Sequence, residues 1–436
     1  MPLTAPGFLQ PCLSRPVAIF GAGVSGRGVG ALLAALGAQG TIYDAQALAF
    51  DGAAARRHAL VVFSPGFAPD HPWLRLARAA GSVCLGELDF ASLFWRGRIV
   101  AITGTNGKTT LTEFLAHALG AIGVEARATG NVGHAFSQWV AEAGGGAAAA
   151  VAVCEVSSFQ AETLQHFHAE ATLWTNLAED HLERHGDLGS YFAAKAALAV
   201  RSDAVWAGSS VTAYARARGL GLKCAAVPTE GQPADPRLAG TPFAAYPQRE
   251  NFLLAAAWWR SAGLDEGALY AAAGTFRLGK HRLARVAEID GVTFWNDSKA
   301  TNFHAVEAAL GRFAAPVWLI AGGKSKGGDL AAFVGRVAPR VRHCCLIGET
   351  RAALAAACAA HAVACTDCGV LEAAVRRAAA LARPGDHVLL SPAFASFDQF
   401  QGYADRGAQF TALVRGLAAR PEPAASLPQA LPALTP

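Results

Sequence analysis

Val100-Ala-Ile-Thr-Gly-Thr-Asn-Gly-Lys-Thr-Thr110 is the stretch from which the chain is best read. Val100–Thr103 predicts a strand, a loop bracketed by Gly104 and Gly107 ends it, and a helix is expected from Thr110 to about Leu119. Such a loop turns backbone N–H groups and a helix N-terminus toward anionic phosphate. Lys108 adds a compact positive charge, and the Thr109 hydroxyl is placed to help hold Mg²⁺. Gly104 and Gly107 stand closer together than generic phosphate-loop spacing asks, so from this stretch alone an ordinary strand–turn–helix connection stays open.

Upstream, Pro16–Phe20 reads as a short strand followed by Gly21-Ala-Gly23-Val-Ser-Gly26, a helix with apolar residues near Val29, Leu32, Leu33 and Leu36, and a strand Thr41–Tyr43 ending at Asp44. This unit resembles a dinucleotide-binding fingerprint with an acidic residue near ribose-reading distance, and alone it favours NAD. The glycines, however, establish only close backbone approach to a phosphate or tight helix packing; any nucleotide diphosphate satisfies them. Val61–Phe63 then enters a second strand-end turn, Ser64-Pro65-Gly66.

Downstream, Ala128–Gly133 reads as a polar, glycine-dense turn. Val151–Glu155 is an apolar run closed by a carboxylate, and Mg²⁺ takes hard oxygen ligands beside phosphate. Ala171–Thr175 leads into Asn176, Asp180, His181 and His185; their grouping argues for a site, although the His spacing alone also permits zinc. Lys195 lies among small apolar residues, and composition favours its snorkelling to solvent. Asn251 opens an apolar helix, where capping is the safer local reading. Farther on, Val292–Trp295 enters Asn296–Asn302, Val317–Ile320 enters Ala321–Asp329, and His387–Leu390 enters Ser391–Phe400. Three strands delivering polar groups at their C-terminal ends is the recurrent site geometry of an open α/β sheet.

The totals bound this reading. A length of 436 residues allows roughly two to four domains at ~100–200 residues each. Net charge +4, from 37 basic and 33 acidic residues without a basic arm or stripe, disfavours nucleic acid as a partner. Nine cysteines lack framework spacing, so most are expected as buried thiols of a reducing compartment; Cys365-x-x-Cys368 lacks the second pair of a structural zinc site. The Ala/Gly-rich run before Val151 fits a turn and strand better than a membrane span. A cytoplasmic protein without stable membrane insertion is expected, and the Ala/Pro-rich tail after residue 418 is expected to be loosely packed.

Taken in order, Gly104-Thr-Asn-Gly-Lys-Thr109, Glu155-Val-Ser-Ser-Phe-Gln160, Asn176 with Asp180-His181, Lys195 and Asn296-Asp-Ser-Lys-Ala-Thr-Asn302 resemble the Mur ligase family, the ATP-dependent amino-acid ligases of bacterial peptidoglycan synthesis. The short phosphate loop is that family's version. Gly21–Gly26, Ser64–Gly66, Thr129–Gly133 and Ser391–Phe400 resemble the member that joins D-glutamate to UDP-N-acetylmuramoyl-L-alanine. The NAD reading therefore yields. The resemblance implies an α/β, three-domain architecture: a Rossmann-like UDP-substrate domain at 1–92, a central P-loop ATPase domain at 93–277 and a Rossmann-like amino-acid domain at 278–436. Activation as an acyl phosphate, then attack by the amine, is the implied chemistry.

The same resemblance assigns residues. Gly104, Thr105, Asn106, Gly107, Lys108, Thr109, Thr110, Asn251, Arg282 and Asp297 would bind ATP. Val24, Ser25, Asp44, Ser64, Pro65, Gly66, Asn131 and His181 would bind the UDP substrate. Lys299, Thr301, Lys326, Ser396 and Tyr403 would surround D-glutamate, two lysines suiting a dicarboxylate. Lys108, Glu155, His181 and Lys195 are the implied catalytic set. Thr109, Glu155, His181 and Lys195, the last as a carbamate, would hold two Mg²⁺ ions. Lys108 is expected to be exposed, with little structural role in the apo protein. Gln46, Pro247, Gln248, Phe394 and Tyr403 depart from the family pattern without removing a phosphate or metal group. A monomer is implied. The other readings are a ligase adding L-glutamate or another amino acid, and a non-catalytic nucleotide-binding regulator.

Overall fold

The computed structural model describes residues 3–418; the tail expected to be loosely packed lies outside the described residues. The chain forms two compact units, Met1–Leu278 and Gly279–Pro436.

The first unit holds two all-parallel sheets. One orders Gly40–Tyr43 (β2), Val17–Phe20 (β1), Leu60–Phe63 (β3) and Val83–Gly86 (β4) as β2-β1-β3-β4. The other is built from Arg98–Thr103 (β5), Ala126–Gly130 (β6), Val151–Glu155 (β7), Ala169–Trp174 (β8), Ser202–Ala207 (β9) and Ala225–Ala226 (β10), in the order β10-β9-β8-β5-β7-β6. β1, β3 and β7 are buried along their whole length, as strands covered on both faces must be. The division expected near residue 92 falls between these two sheets, inside one compact unit. The reason is a shared core: Val17, Ile19, Leu60 and Leu85 pack in one cluster with Ala101, Ala152, Cys154 and Phe167. The glycine face of the helix Val24–Ala35 closes this contact, since a Cβ on Gly28 would lie 2.6 Å from Ser137 Oγ.

Glu87 reinforces the same seam. Fully buried at the start of the helix Glu87–Ser92, its Oε1 accepts from Ser137 N (2.8 Å) and Oγ (2.6 Å), while Oε2 has no partner. Burial raises its carboxyl above the usual range, against the Ser137 bonds. A raised carboxyl pKa means that folding opposes ionisation. The cost is absent below the unfolded value near ~4.3 and grows as pH rises toward the folded value. Glu87→Gln, which keeps the shape without the ionisation, should therefore raise the thermal midpoint at pH 8 relative to wild type and leave it nearly unchanged at pH 4. A midpoint gain independent of pH would show that Glu87 carries no such cost.

The second unit is one sheet, ordered Ala284–Ile289 (β11), Val292–Asn296 (β12), His387–Leu390 (β16), Val317–Gly322 (β13), Val341–Ile347 (β14) and Cys365–Gly369 (β15). Only β11 runs antiparallel, on the edge. Its two faces carry separate cores, one around Leu319, Leu346 and Phe394 and the other around Ile320, Ile347 and Phe410. No helix among the described residues is long and apolar enough to cross a membrane.

Candidate functional site

β5 lies between β7 and β8 although neither is its neighbour in sequence, so the loop after β5 opens at a topological switch point. Gly104 (φ +138°) and Gly107 (φ +84°) take backbone conformations that L side chains avoid. Space also excludes larger residues: a Cβ on Gly104 would sit 1.9 Å from Thr175 Oγ1, and one on Gly107 2.4 Å from Asn251 Oδ1. With Gly107 at the N-cap, the helix begins at Lys108, two residues before the expected start, and runs to Ala121. Leu111, Phe114, Leu115, Ala118 and Leu119 bury its one apolar face.

The segment after β8 clamps this loop. Asn106 N donates to Asn176 Oδ1 (2.9 Å), Asn176 Nδ2 to Asn106 O (3.1 Å), and Thr175 Oγ1 to Asn106 O (2.6 Å). Thr105 N donates to Asn176 O (3.0 Å). The first backbone N–H groups of the helix have no acceptor within it and lie where a phosphate would be received. The Thr110 hydroxyl is buried without a partner, and Thr109 is buried beside it.

Two expectations about lysines need correction. Lys108 is half-buried rather than exposed, its Nζ donating to Gly104 O (2.9 Å) and Thr105 O (2.8 Å), so it braces its own loop. Lys195 does not snorkel. It is 1% exposed in the helix Leu188–Val200, with Nζ donating to Gly104 O (2.8 Å) and reaching Thr103 Oγ1 (3.4 Å). The loop of β5 supplies the buried acceptors that composition could not reveal. Burial first, then the charge of Lys108, holds the Lys195 amine well below the ordinary lysine range; Asp180 and Glu155 pull the other way.

Glu155, at the end of β7, is 3% exposed. Its Oε1 accepts from Asn131 Nδ2 (2.8 Å) and its Oε2 is buried with no partner. The glycine-dense segment before Asn131 is partly strand, β6, and its last residue Gly130 lets the chain pass close: a Cβ there would sit 2.4 Å from Glu155 O. An orphaned carboxylate oxygen within electrostatic reach of Lys195 fits a hard divalent cation and phosphate oxygens. His181 stands at φ +55°, with Nδ1 3.3 Å from Glu183 Oε1 and Nε2 3.8 Å from Asp180 Oδ2. His185 bonds Ser158 Oγ (3.0 Å) and packs inward. Among the described residues no group of three or more His, Cys, Asp and Glu side chains is arranged to hold a metal. The donors implied here differ in kind: a hydroxyl, one carboxylate, one imidazole and a modified lysine.

Asn251 corrects a third expectation. It is not a cap but the fourth residue of the helix Gln248–Ser261, whose N-cap position is Pro247. Its Nδ2 donates to Gln248 Oε1 (2.8 Å), and its amide lies against Gly107. In the first sheet, Gly21 (φ +97°) opens the turn into Val24 and Ser25, and a Cβ on Gly26 would meet Gly21 O at 1.8 Å. The Asp44 carboxylate accepts from Ala22 N (3.0 Å) and Gln46 N (3.1 Å), which lowers its pKa and fixes the loop it was expected to serve. Ser64, heading the Pro65-Gly66 turn, keeps a buried hydroxyl without a partner.

In the second unit the ends of the adjacent strands β12, β16 and β13 bring their loops together. Asp297 accepts from Leu283 N (3.0 Å) and Ser391 Oγ (2.9 Å), and burial lifts its carboxyl to about 7; the neighbouring Arg282 works against that shift. Lys299 Nζ stands 3.9 Å from the centre of the Tyr403 ring. Thr301 follows it in the same loop, Lys326 is half-buried in the loop after β13, and Ser396 is buried after β16. Arg406, which sequence reading missed, ties two of these loops: its guanidinium donates to Ser298 Oγ (3.0 Å), Ser298 O (2.9 Å) and Phe394 O (3.2 Å). A single arginine in a helix carries no sequence signal for such burial.

A central parallel strand ending in a glycine loop, a lysine and paired threonines defines a P-loop nucleotide-binding α/β protein. Family models extend that class. The Mur ligase middle domain matches residues 102–204, and the Mur ligase glutamate ligase domain matches 281–394. The UDP-N-acetylmuramoylalanine–D-glutamate ligase of Mycobacterium tuberculosis is 35% identical, over 96% of this chain and 99% of its own. The enzyme of the same name from Solibacter usitatus is 37% identical over 82% and 85%. Among solved structures, the UDP-N-acetylmuramate–alanine ligase of Thermotoga maritima shares the fold, with TM-score 0.61, 15% identity and coverage of 92% and 100%. The chain belongs to the Mur ligase family, and within it to the branch that the two curated relatives represent.

Proposed function

We infer that the chain catalyses the ATP-dependent ligation of D-glutamate to UDP-N-acetylmuramoyl-L-alanine, in the cytoplasm, as a step of peptidoglycan precursor synthesis. The observation that carries the reading is full-length similarity to D-glutamate ligases combined with an intact phosphate loop and a buried, half-satisfied Glu155 at its edge. The substrate's terminal carboxylate attacks the γ-phosphorus of ATP, giving an acyl phosphate and ADP. The amine of D-glutamate then attacks the acyl carbon, and the tetrahedral intermediate expels phosphate and sheds a proton as the amide forms.

The residues divide by task. In the first unit, Gly104–Thr110 receive the ATP phosphates, with Lys108 neutralising charge during transfer, and Asn251 contacts the nucleotide. Val24, Ser25, Asp44 and Ser64–Gly66 take the UDP portion, while Asn131 and His181 attend its acyl end. In the second unit, Arg282 and Asp297 contact ATP, and Lys299, Thr301, Lys326, Ser396 and Tyr403 receive D-glutamate. Thr109, Glu155, His181 and carbamylated Lys195 would hold two Mg²⁺ ions, which supply charge neutralisation for the anions that must meet. The Lys195 amine is suited to carbamylation because burial shifts it toward the neutral form, the one that attacks CO₂, and the product replaces a cation beside Lys108 with an anion. The domain divisions near 92 and 277 and a monomeric state belong to the same reading.

Phosphate release with Mg-ATP, UDP-N-acetylmuramoyl-L-alanine and a panel of amino acids tests the function. D-glutamate alone should give signal and a ligated product of the expected mass; preference for L-glutamate would overturn the specificity, and silence across the panel the activity. Lys299→Ala should raise KM for D-glutamate roughly 30-fold, equivalent to about 2 kcal/mol for a charge-assisted hydrogen bond, and leave KM for ATP near wild type. Unchanged D-glutamate kinetics would remove Lys299 from the site.

A further inference from the structure

The helix Leu182–His185 starts from His181 and is tied to the helix Ser158–Ala161, which follows Glu155 at the end of β7. His181 heads its helix in the left-handed region, at φ +55° and ψ +34°. That conformation is costly for a non-glycine residue and persists only where the surroundings hold it. The backbone is held locally: Asp180 Oδ1 accepts from His181 N (3.0 Å), and His181 O accepts from Arg184 N (3.1 Å) and His185 N (3.0 Å). The ring is held from the neighbouring helix. Its imidazole packs against the Phe159 ring, with centroids 4.8 Å apart and planes inclined at 60°. The Arg184 guanidinium lies 4.2 Å from the centre of that same ring and donates through Nη2 to Glu162 Oε1. The side chains of Arg184 and Glu162 are 17% and 19% exposed, so this is no solvated surface pair. The contact of His185 Nε2 with Ser158 Oγ (3.0 Å) joins the two helices a second time.

We propose, on the reading that puts His181 at the acyl end of the UDP substrate, that Arg184 is a positioning residue for His181. Its guanidinium clamps Phe159, and the Phe159 ring sets where the imidazole stands. Arginine suits the task because a planar guanidinium stacks on an aromatic face while its edge pairs with a carboxylate. The contact of His181 Nδ1 with Glu183 Oε1 (3.3 Å) is a weak substitute for that clamp, since the Glu183 side chain is 45% exposed. Loosening Phe159 therefore frees the imidazole to shift, and a misplacement of about 1 Å at a reacting centre costs on the order of 10²-fold in rate.

Variants of the full-length protein separate positioning from folding. Arg184→Met leaves Glu162 buried without its countercharge and should lower the thermal midpoint. Combining Arg184→Met with Glu162→Gln removes both charges and should bring the midpoint back toward wild type. Turnover should not return with it: kcat for phosphate release in the double variant should stay on the order of 10²-fold low, with KM for ATP near wild type. In protein labelled with carbon-13 histidine, free of nucleotide and metal, the His181 ring resonances, assigned by His181→Gln, should move in the double variant. Those of His58, in the first sheet, should stay in place. Arg184→Lys keeps the charge balance, and therefore the fold, and should show the same resonance shift in smaller degree. Unmoved His181 resonances, or a double variant that regains wild-type turnover along with its midpoint, would overturn the proposal. Silence of the wild type across the amino-acid panel would strike the proposed reaction instead, and the resonances would still decide the positioning.

Discussion

Lys195→Met should lower the rate of amino-acid-dependent phosphate release on the order of 10²–10³-fold while leaving the fold intact. The two halves of that result have separate causes. Lys195 is buried, with a depressed pKa, and its Nζ shares the carbonyl of Gly104 with Lys108 Nζ. A depressed lysine pKa costs stability wherever the unfolded chain would hold the proton, that is, below about 10.4, and the cost vanishes only above that value. Methionine fills similar volume without the cost, so the thermal midpoint of the variant at pH 7, in buffer depleted of CO₂, should match or exceed that of the unmodified protein. The activity loss follows from the proposed carbamate, for which a thioether is no substitute. A carbon-13 carbamate resonance from labelled bicarbonate should appear with wild type and be missing from the variant. Near-normal turnover by Lys195→Met would remove Lys195 from the catalytic set; a missing resonance in wild type would leave the residue without its carbamate role.

The same residue marks where sequence reading stops. Strands β5, β7, β8 and β13 are legible because a parallel sheet buries both faces and leaves continuous apolar runs. The glycine loop is legible because its conformation excludes other residues. Composition around Lys195, by contrast, describes only the helix that carries it, and the acceptors that keep it inside are contributed by the end of β5 and its loop, 92 and 91 residues earlier. Asn251 was misread for a related reason: an Asn near the start of an apolar run resembles a cap, but Pro247 already occupies that position and turns Asn251 toward Gly107. Arg406 and Asp89 left no trace at all, because both bond almost entirely to backbone or to a neighbour's hydroxyl, and backbone partners have no sequence signature.

Asp89→Ala should destabilise the protein by about 3–5 kcal/mol, the scale for breaking a buried charged interaction. Asp89 is fully buried in the helix Glu87–Ser92. Its carboxylate accepts from Gln165 N (3.1 Å), His166 N (2.8 Å) and Phe167 N (2.7 Å). Alanine would leave three backbone donors without an acceptor, each worth more when orphaned than when paired. Asp89→Asn, which keeps one carbonyl oxygen and places an amide among donors, should lose less. The bonded segment leads directly into β8, whose far end delivers Thr175 and Asn176 to the phosphate loop. The instability should therefore reach the site: urea unfolding of Asp89→Ala should show the lowered midpoint, and amide exchange should rise at both the start of β8 and Asn106. An unfolding free energy within about 1 kcal/mol of wild type would mean that water replaces the carboxylate at those three groups. Exchange confined to residues 165–167 would show that β8 does not transmit the loss to the loop.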